Sequence, residues 1–268
     1  MPGSCLMCEL ATDRKRDLCI HCEKALPWIK RGCSTCGIPL ENSVRNPPTI
    51  FSETDTNLFS GTGFKNHDLA AQTPKFAQCT SCRIKPLFPT IARTLTPLSY
   101  SECARWLVQQ QKHSKGIAHG RVLAELLGDA VVRQYSHAAE LPELLIPVPL
   151  HWRRLITRGH NQSVNMAATI GERIQRPVAN QLVTRTRATA PQQTLDAKHR
   201  SANVASAFSS TKSAQRVIAT LAQKRVAIVD DVVTTGATAQ ALATTLIAAG
   251  VKEVHLWSPT RAILKPDD

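Results

Sequence analysis

Hydrophobic positions change their spacing at about Leu95, and the change divides the chain. Beyond that point, apolar residues three and four apart alternate with short unbroken apolar runs. Tyr100 to Gln111 reads as a helix, and Gly120 to Tyr135 as a second with Leu123, Leu126, Leu127 and Val131 along one face. Leu144 to Val148 reads as a buried strand, followed by a loop and a helix through Ile174. Val178 to Val183 reads as a further strand, Val226 to Val229 as another and Val254 to Trp257 as the last. Between the final two, Leu242, Thr245, Leu246 and Ala249 keep helical spacing, and Gly250 is placed to cap that helix. Strands alternating with helices predict an α/β fold: a mostly parallel sheet, helices on both faces, and a ligand site at the carboxyl ends of the strands.

Residues 1–94 lack that rhythm and form a separate module ahead of the domain at 95–268. Its landmarks are four C-x-x-C pairs, Cys5/Cys8, Cys19/Cys22, Cys33/Cys36 and Cys79/Cys82, the first three separated by ten residues each. Each pair puts two sulfurs on one tight turn, half of a tetrahedral zinc site, so the expectation is a small double zinc ribbon holding two structural zinc ions. Sequence order pairs the first motif with the second and the third with the fourth; interleaving is the alternative. Disulfides are disfavoured in a cytosolic chain, and four copies argue against a redox motif. Cys103 is left over and reads as a packing residue beside Ala104 and Leu107. Residues 38–76, rich in Asn, Thr, Ser, Gly and Pro, read as an insertion that is flexible over much of its length. Its Phe51, Phe59, Phe64 and Phe76 either pin the loop onto its own domain or stack on single-stranded bases.

Charge narrows the partners. The formal net charge is +13, and two four-thiolate zinc sites at about −2 each lower it to about +9. That surplus suits a polyanion, nucleic acid first, or a surface serving a phosphate-rich substrate. Residues 1–95 hold 12 Lys and Arg against 8 Asp and Glu, and residues 96–268 hold 21 against 12, so the surplus lies in the carboxy-terminal domain. No apolar leader precedes Cys5 and no apolar run approaches a membrane span, so a cytoplasmic protein without membrane insertion is expected.

The most informative stretch is Val226 to Thr238, V-A-I-V-D-D-V-V-T-T-G-A-T. An apolar run leads into Asp230 and Asp231, and Thr234, Thr235, Gly236, Ala237 and Thr238 then open a helix. Backbone N–H groups, threonine hydroxyls and a helix dipole converging at one turn make a phosphate cradle. The pattern G-x-x-x-x-G-K-[ST] is absent, so this is not a triphosphate loop. Two carboxylates would repel a bare phosphate, but they can accept hydrogen bonds from the ring hydroxyls of a sugar phosphate.

The stretch closely resembles the phosphoribosyl pyrophosphate (PRPP) signature of type I phosphoribosyltransferases. That resemblance implies that Thr234 to Thr238 hold the ribose 5-phosphate and that Asp230 and Asp231 hold the 2- and 3-hydroxyls, with magnesium accompanying PRPP. The order of the cysteine module, V-P-L at 148–150, R-G-x-N-Q at 158–162, Q-x-L at 193–195, R-x-x-N at 200–203 and the PRPP signature resembles the ComF/GntX family, associated with natural competence and DNA utilisation. The likeness implies a type I phosphoribosyltransferase-like domain behind the zinc ribbon, with Arg158, Asn161 and Gln162 contributing to PRPP binding. It places Arg158 with Asp230 and Asp231 as the catalytic group, aimed at the departing pyrophosphate, and makes Arg153, Arg154, Lys112 and Lys115 further candidates. Gln193, Arg200 and Asn203 fall in a hood loop that closes over PRPP. At position 160 the family has an aromatic residue and this chain has histidine. Thr234 stands where purine-salvage members carry an acid facing the base, which disfavours purine salvage. Three readings follow: a PRPP-binding protein acting on single-stranded DNA with the uptake machinery, a phosphoribosyltransferase with an unidentified acceptor, or a regulator that senses PRPP without transfer.

Overall fold

Short cysteine-bearing turns open the chain, and a parallel sheet receives them. The antiparallel pair β1 (Gly3–Ser4) and β2 (Ala11–Thr12) precedes helices α1 (Ile20–Lys24) and α2 (Thr80–Ile84), which start at Cys19 and Cys79. Next come β3 (Arg93–Leu95), β4 (Leu98–Ser99), α3 (Glu102–Gln110), α4 (Ile117–Gln134) and β5 (Leu144–Pro147). Helices α5 (Trp152–Arg158) and α6 (Gln162–Ile174) lead to β6 (Thr184–Arg185) and β7 (Phe208–Ser209). The chain then runs through β8 (Arg225–Val229), α7 (Ala237–Ala248), β9 (Glu253–Trp257) and β10 (Thr260–Arg261). The main sheet has the order β3-β9-β8-β5 with every pairing parallel. The computed structural model describes residues 3–40, 77–113, 116–135, 137–180, 182–185, 208–209 and 224–263. Residues 41–76 of the expected insertion, Lys115, and the hood residues Gln193, Arg200 and Asn203 lie outside the described residues.

Successive strand residues point to opposite faces, and the two cores divide accordingly. Leu145, Ala227, Val229 and Trp257 join Leu107, Leu123, Leu127 and Ile170 of α3, α4 and α6 in one core. Leu144, Ile146, Val226, Ile228, Val254 and Leu256 face the other way, onto Ala239, Leu242 and Leu246 of α7. A strand buried on both faces reads as an unbroken apolar run, which is why Val226 to Val229 is legible. Leu123, Leu126, Leu127 and Val131 of α4 are all fully buried, each burial being worth ~1.5–3 kcal/mol. Cys5 and Leu18 belong to the first core, whereas Cys33, Cys36 and Cys82 belong to the second. The cysteine module therefore contributes to both sides of the sheet. On the α4 side it is held by Arg16, which meets Glu23 at 3.0 Å, Glu125 at 3.1 Å and Asp129 at 2.5 Å. Cys103 is partly buried and packs against that same core.

Two elements differ from the sequence expectation. Val178 to Val183 is not a full strand: Val178 makes a single parallel bridge to Leu145, because Leu145 and its neighbours Pro177 and Ala179 complete just two bonds before the chain turns at Asn180. The expected loop after Val148 contains α5, whose start is capped by His151 Nδ1 accepting from the Arg153 amide at 3.3 Å. Gly159, at φ 75°, closes it in the left-handed region. Among the described residues, no helix is long and apolar enough to cross a membrane.

Candidate functional site

The carboxyl end of β8 gathers the chemistry. Asp230 donates its backbone N–H to Trp257 O at 3.0 Å, and the Asp231 N–H donates to Asp230 Oδ1 at 2.9 Å. The next residues leave the sheet but remain tied to it, with Val233 N–H donating to Thr260 O at 3.0 Å and Ala262 N–H donating to Val233 O at 2.8 Å. Gly236 then turns the chain into α7 at φ 72°, and a Cβ there would lie 2.1 Å from Phe88 Cε1. Only glycine supplies that backbone in that space. Thr235 Oγ1 accepts from the Ala237 amide at 3.3 Å, shaping the turn. Thr234 to Thr238 thus stand at the amino terminus of a twelve-residue helix, where first-turn amides and the dipole favour an anion.

The acid pair is electrostatically divided. Burial, and then the charge of Asp231, push the Asp230 pKa up to about 8. Asp231 faces Lys112, whose Nζ lies 3.6 Å from Oδ2. Arg154 is held below the ordinary arginine range by burial and then by Arg158, with Asp231 opposing both. Lys112 and Arg154 therefore lie on a cationic flank of Asp231, and Arg158 adjoins Arg154.

Other expected site residues take different postures. Arg158 Nη1 donates to Gln162 Oε1 at a long 3.4 Å. Gln162 is buried, and its Nε2 has no hydrogen-bond partner among the described residues. Asn161 is engaged within the protein: Oδ1 accepts from the Ser163 amide at 3.0 Å to cap α6, and Nδ2 donates to Val148 O at 3.1 Å. It fixes the end of β5 to the start of α6. Arg153 points elsewhere, its guanidinium 5.3 Å over the Trp152 ring. Beyond β6, the backbone pairs Thr184 with Ser209 and Arg185 with Phe208, so the two ends of the expected hood loop meet.

Lys112 and His160, both singled out in the sequence, gain specific partners, and Phe88 and Arg261 gain roles that no motif announces. Lys112 reaches the acid pair from the end of α3. His160 explains part of that placement, since Nε2 lies 3.1 Å from Gln111 O while Nδ1 lies 3.0 Å from Arg158 O. The histidine lies between the α5 corner and the residue beside Lys112, and its N–H can donate to one of these two carbonyls, which a phenyl ring could not do. Phe88 backs the Gly236 turn. Arg261 is the fourth: burial pulls its pKa down, and charge on Cys36, Cys82, Cys33 and Cys79 opposes that pull.

The eight paired cysteines form two clusters, Cys5/Cys8/Cys19/Cys22 and Cys33/Cys36/Cys79/Cys82, with the sulfurs of each within 4.8 Å of one another. Pairing thus follows sequence order. A tetrahedral centre with Zn–S bonds of ~2.3 Å spaces its sulfurs by about 3.8 Å. Cys8 and Cys19 stand at 3.7 Å and Cys36 and Cys79 at 3.8 Å, so both clusters fit zinc and neither distance fits a disulfide. Within the second cluster the hydrogen bond between Cys33 and Cys36 lowers the pKa of Cys33 and raises that of Cys36.

Comparison with known proteins bears on this geometry. Residues 147–261 match the phosphoribosyl transferase domain family. Competence protein F of Haemophilus influenzae is 31% identical over 247 residues, covering 91% of this chain and 96% of that protein. DNA utilization protein YhgH of Escherichia coli (strain K12) is 28% identical over 265 residues, covering 98% of this chain and 99% of that one. Among solved structures, the glutamine PRPP amidotransferase of B. subtilis, complexed with ADP and GMP, aligns with a TM-score of 0.37 at 19% identity over 60% of this chain and 32% of its own. With a phosphoribosyltransferase domain behind two zinc-competent cysteine clusters, and with that identity sustained along nearly the whole length, this chain belongs to the competence protein F (ComF) family.

Proposed function

We propose that this protein binds PRPP at the carboxyl end of β8 and handles single-stranded DNA in natural competence. The observation that carries the reading is the acid pair Asp230–Asp231 set directly before the Gly236 turn, with Lys112 3.6 Å from Asp231. In this reading the 5-phosphate lies on the amino terminus of α7 against Thr234 to Thr238, and both aspartates accept hydrogen bonds from the ribose hydroxyls. Arg158, Arg154 and Lys112 face the pyrophosphate and stabilise its charge as it departs. Magnesium bound with PRPP supplies further neutralisation of the phosphates. Asn161 and Gln162 act through their hold on Val148, α6 and Arg158. The hood residues Gln193, Arg200 and Asn203 close over the ligand and exclude water. Two zinc ions fill the cysteine clusters, and the protein works in the cytoplasm beside the proteins that import DNA.

The nucleic-acid part of the reading rests on α5. Trp152 is 58% exposed with Arg153 stacked on its ring, a pair suited to stacking on a base beside a phosphate. The names of the relatives, competence protein F and DNA utilization protein, support the setting. Fluorescence anisotropy with a labelled oligonucleotide over several salt concentrations tests it, with pyrophosphate release from PRPP followed in parallel. Weak, sequence-tolerant binding that falls steeply with salt is expected. Trp152→Ala combined with Arg153→Glu should weaken it by about tenfold, one stacked base being worth ~1–3 kcal/mol. No binding at low salt, with pyrophosphate released to a small acceptor, would instead favour the transferase reading. DNA binding that changes with PRPP, without release, would favour the sensing regulator.

A further inference from the structure

One buried side chain joins the second cysteine cluster to the phosphate loop. Arg261, 3% exposed, donates from Nε to Cys36 O at 2.7 Å. The two N–H groups of Nη1 are shared among Val233 O at 3.0 Å, Ala262 O at 2.5 Å and Thr234 O. All of these acceptors are main-chain carbonyls, and two lie in the stretch between Asp231 and the Gly236 turn. A planar guanidinium with its donors committed in several directions fixes the relative position of the segments it bridges. A buried cation also needs nearby negative charge, and a zinc-loaded four-thiolate centre, at about −2, supplies it.

Neighbouring contacts reinforce the link. Phe88, six residues beyond Cys82, fills the space that glycine leaves open at position 236. Gln240 Nε2 of α7 donates to Thr90 Oγ1 at 2.6 Å. The cysteine turn is itself pinned to the sheet edge, with Thr94 Oγ1 donating to Thr35 O at 2.6 Å and Thr96 Oγ1 donating to Gly37 O at 2.8 Å. The first cluster is attached differently. Its arginine, Arg16, bonds Glu23, Glu125 and Asp129 on the α4 side of the sheet, opposite α7.

We propose that Arg261 is a positioning residue through which the second cysteine cluster sets the shape of the phosphate loop. Metal occupancy at Cys33, Cys36, Cys79 and Cys82 then governs affinity for a phosphorylated sugar, whereas occupancy of the first cluster does not. The ligand half of this inference rests on the PRPP reading; the brace itself rests on the geometry alone.

Three readouts on the full chain test it: zinc content, hydrogen exchange of amides 231–240 without ligand, and calorimetric affinity for PRPP with magnesium. Arg261→Met keeps the length of the shank and removes the donors. It should retain both zinc ions, speed exchange at 233–236, and weaken PRPP binding by about tenfold or more. Arg261→Lys should give a smaller change of the same kind, and it decides the matter if the methionine variant does not fold. Cys79→Ser should lose one zinc and reproduce the fast exchange. Cys8→Ser should also lose one zinc, and Arg16→Met none, with neither altering the loop. Unchanged exchange at 233–236 in the Arg261 variants and in Cys79→Ser would overturn the brace, as would an equal response to Cys8→Ser. If wild-type protein does not bind PRPP, the PRPP reading falls and the exchange data alone decide the brace.

Discussion

Gly236→Ala is expected to cost about 2–5 kcal/mol of stability and to abolish any response to PRPP. The new methyl would lie 2.1 Å from Phe88 Cε1 and 2.2 Å from Cζ, well inside van der Waals contact. It would also sit on a residue at φ 72°, where a side chain costs ~1–2 kcal/mol even in open space. Overpacking adds ~1–3 kcal/mol. Phe88 cannot simply swing clear, because it is 1% exposed and belongs to the core beneath α7. The loop must move instead, and with it the amides of the cradle. Denaturant titration should show a lower midpoint at unchanged slope. Adding Phe88→Ala to Gly236→Ala should recover part of the loss, a coupling that a double-mutant cycle measures. Full stability in the single variant would mean that Phe88 does not back this turn.

Removing metal is expected to cost more. Protein purified without added metal should carry about two zinc ions per chain, and a strong chelator should unfold at least the cysteine module, since structural zinc sites in small peptides bind with ~10–16 kcal/mol. Here the damage should spread by side: loss of the first cluster reaches the α4 face of the sheet through Cys5, and loss of the second reaches the α7 face through Cys33, Cys36 and Cys82. Cys36→Ser removes a ligand that is 1% exposed and should leave about one zinc ion. Elemental analysis alongside a thermal melt checks both statements. A metal content near zero, with every thiol of the native protein titrating freely, would contradict them.

Much of this architecture is legible in the amino-acid sequence, for identifiable reasons. Val226 to Val229 and the acid pair are contiguous, so the strand, its end and its chemistry appear together in one stretch. The cysteine pairs are legible because a two-ligand turn is a local motif; their partition into two clusters follows the simplest order. Helix α5 escapes a periodicity argument because seven residues give too few turns for a period, although Gly159 at its end is a usable signal. Lys112 and Asp231, far apart in sequence, meet only because α3 ends above β8, and no local pattern carries that. Arg261 reads in the sequence as a lone basic residue after the last strand. Its importance comes from burial, 3% exposed, among carbonyls contributed by both ends of the chain. Phe88 likewise has no motif, and only the empty space at Gly236 reveals it.

Calorimetric titration of PRPP with magnesium between pH 6 and 9 tests the central claim most directly. With Asp230 pushed up to about 8, the folded protein keeps a proton that the unfolded chain, with an aspartate near ~3.9, releases. Stability of the free protein should therefore fall as pH rises between those values. Ligand affinity should move the opposite way, because ribose hydroxyls and magnesium favour the carboxylate. One PRPP per chain is expected, with affinity climbing by at most about tenfold per pH unit and levelling above about pH 8. Asp231→Asn should weaken binding by ~1.5–3 kcal/mol, the worth of a hydrogen bond to a charged group. Absence of binding at millimolar PRPP across that range, or binding that Asp231→Asn leaves intact, would contradict the account.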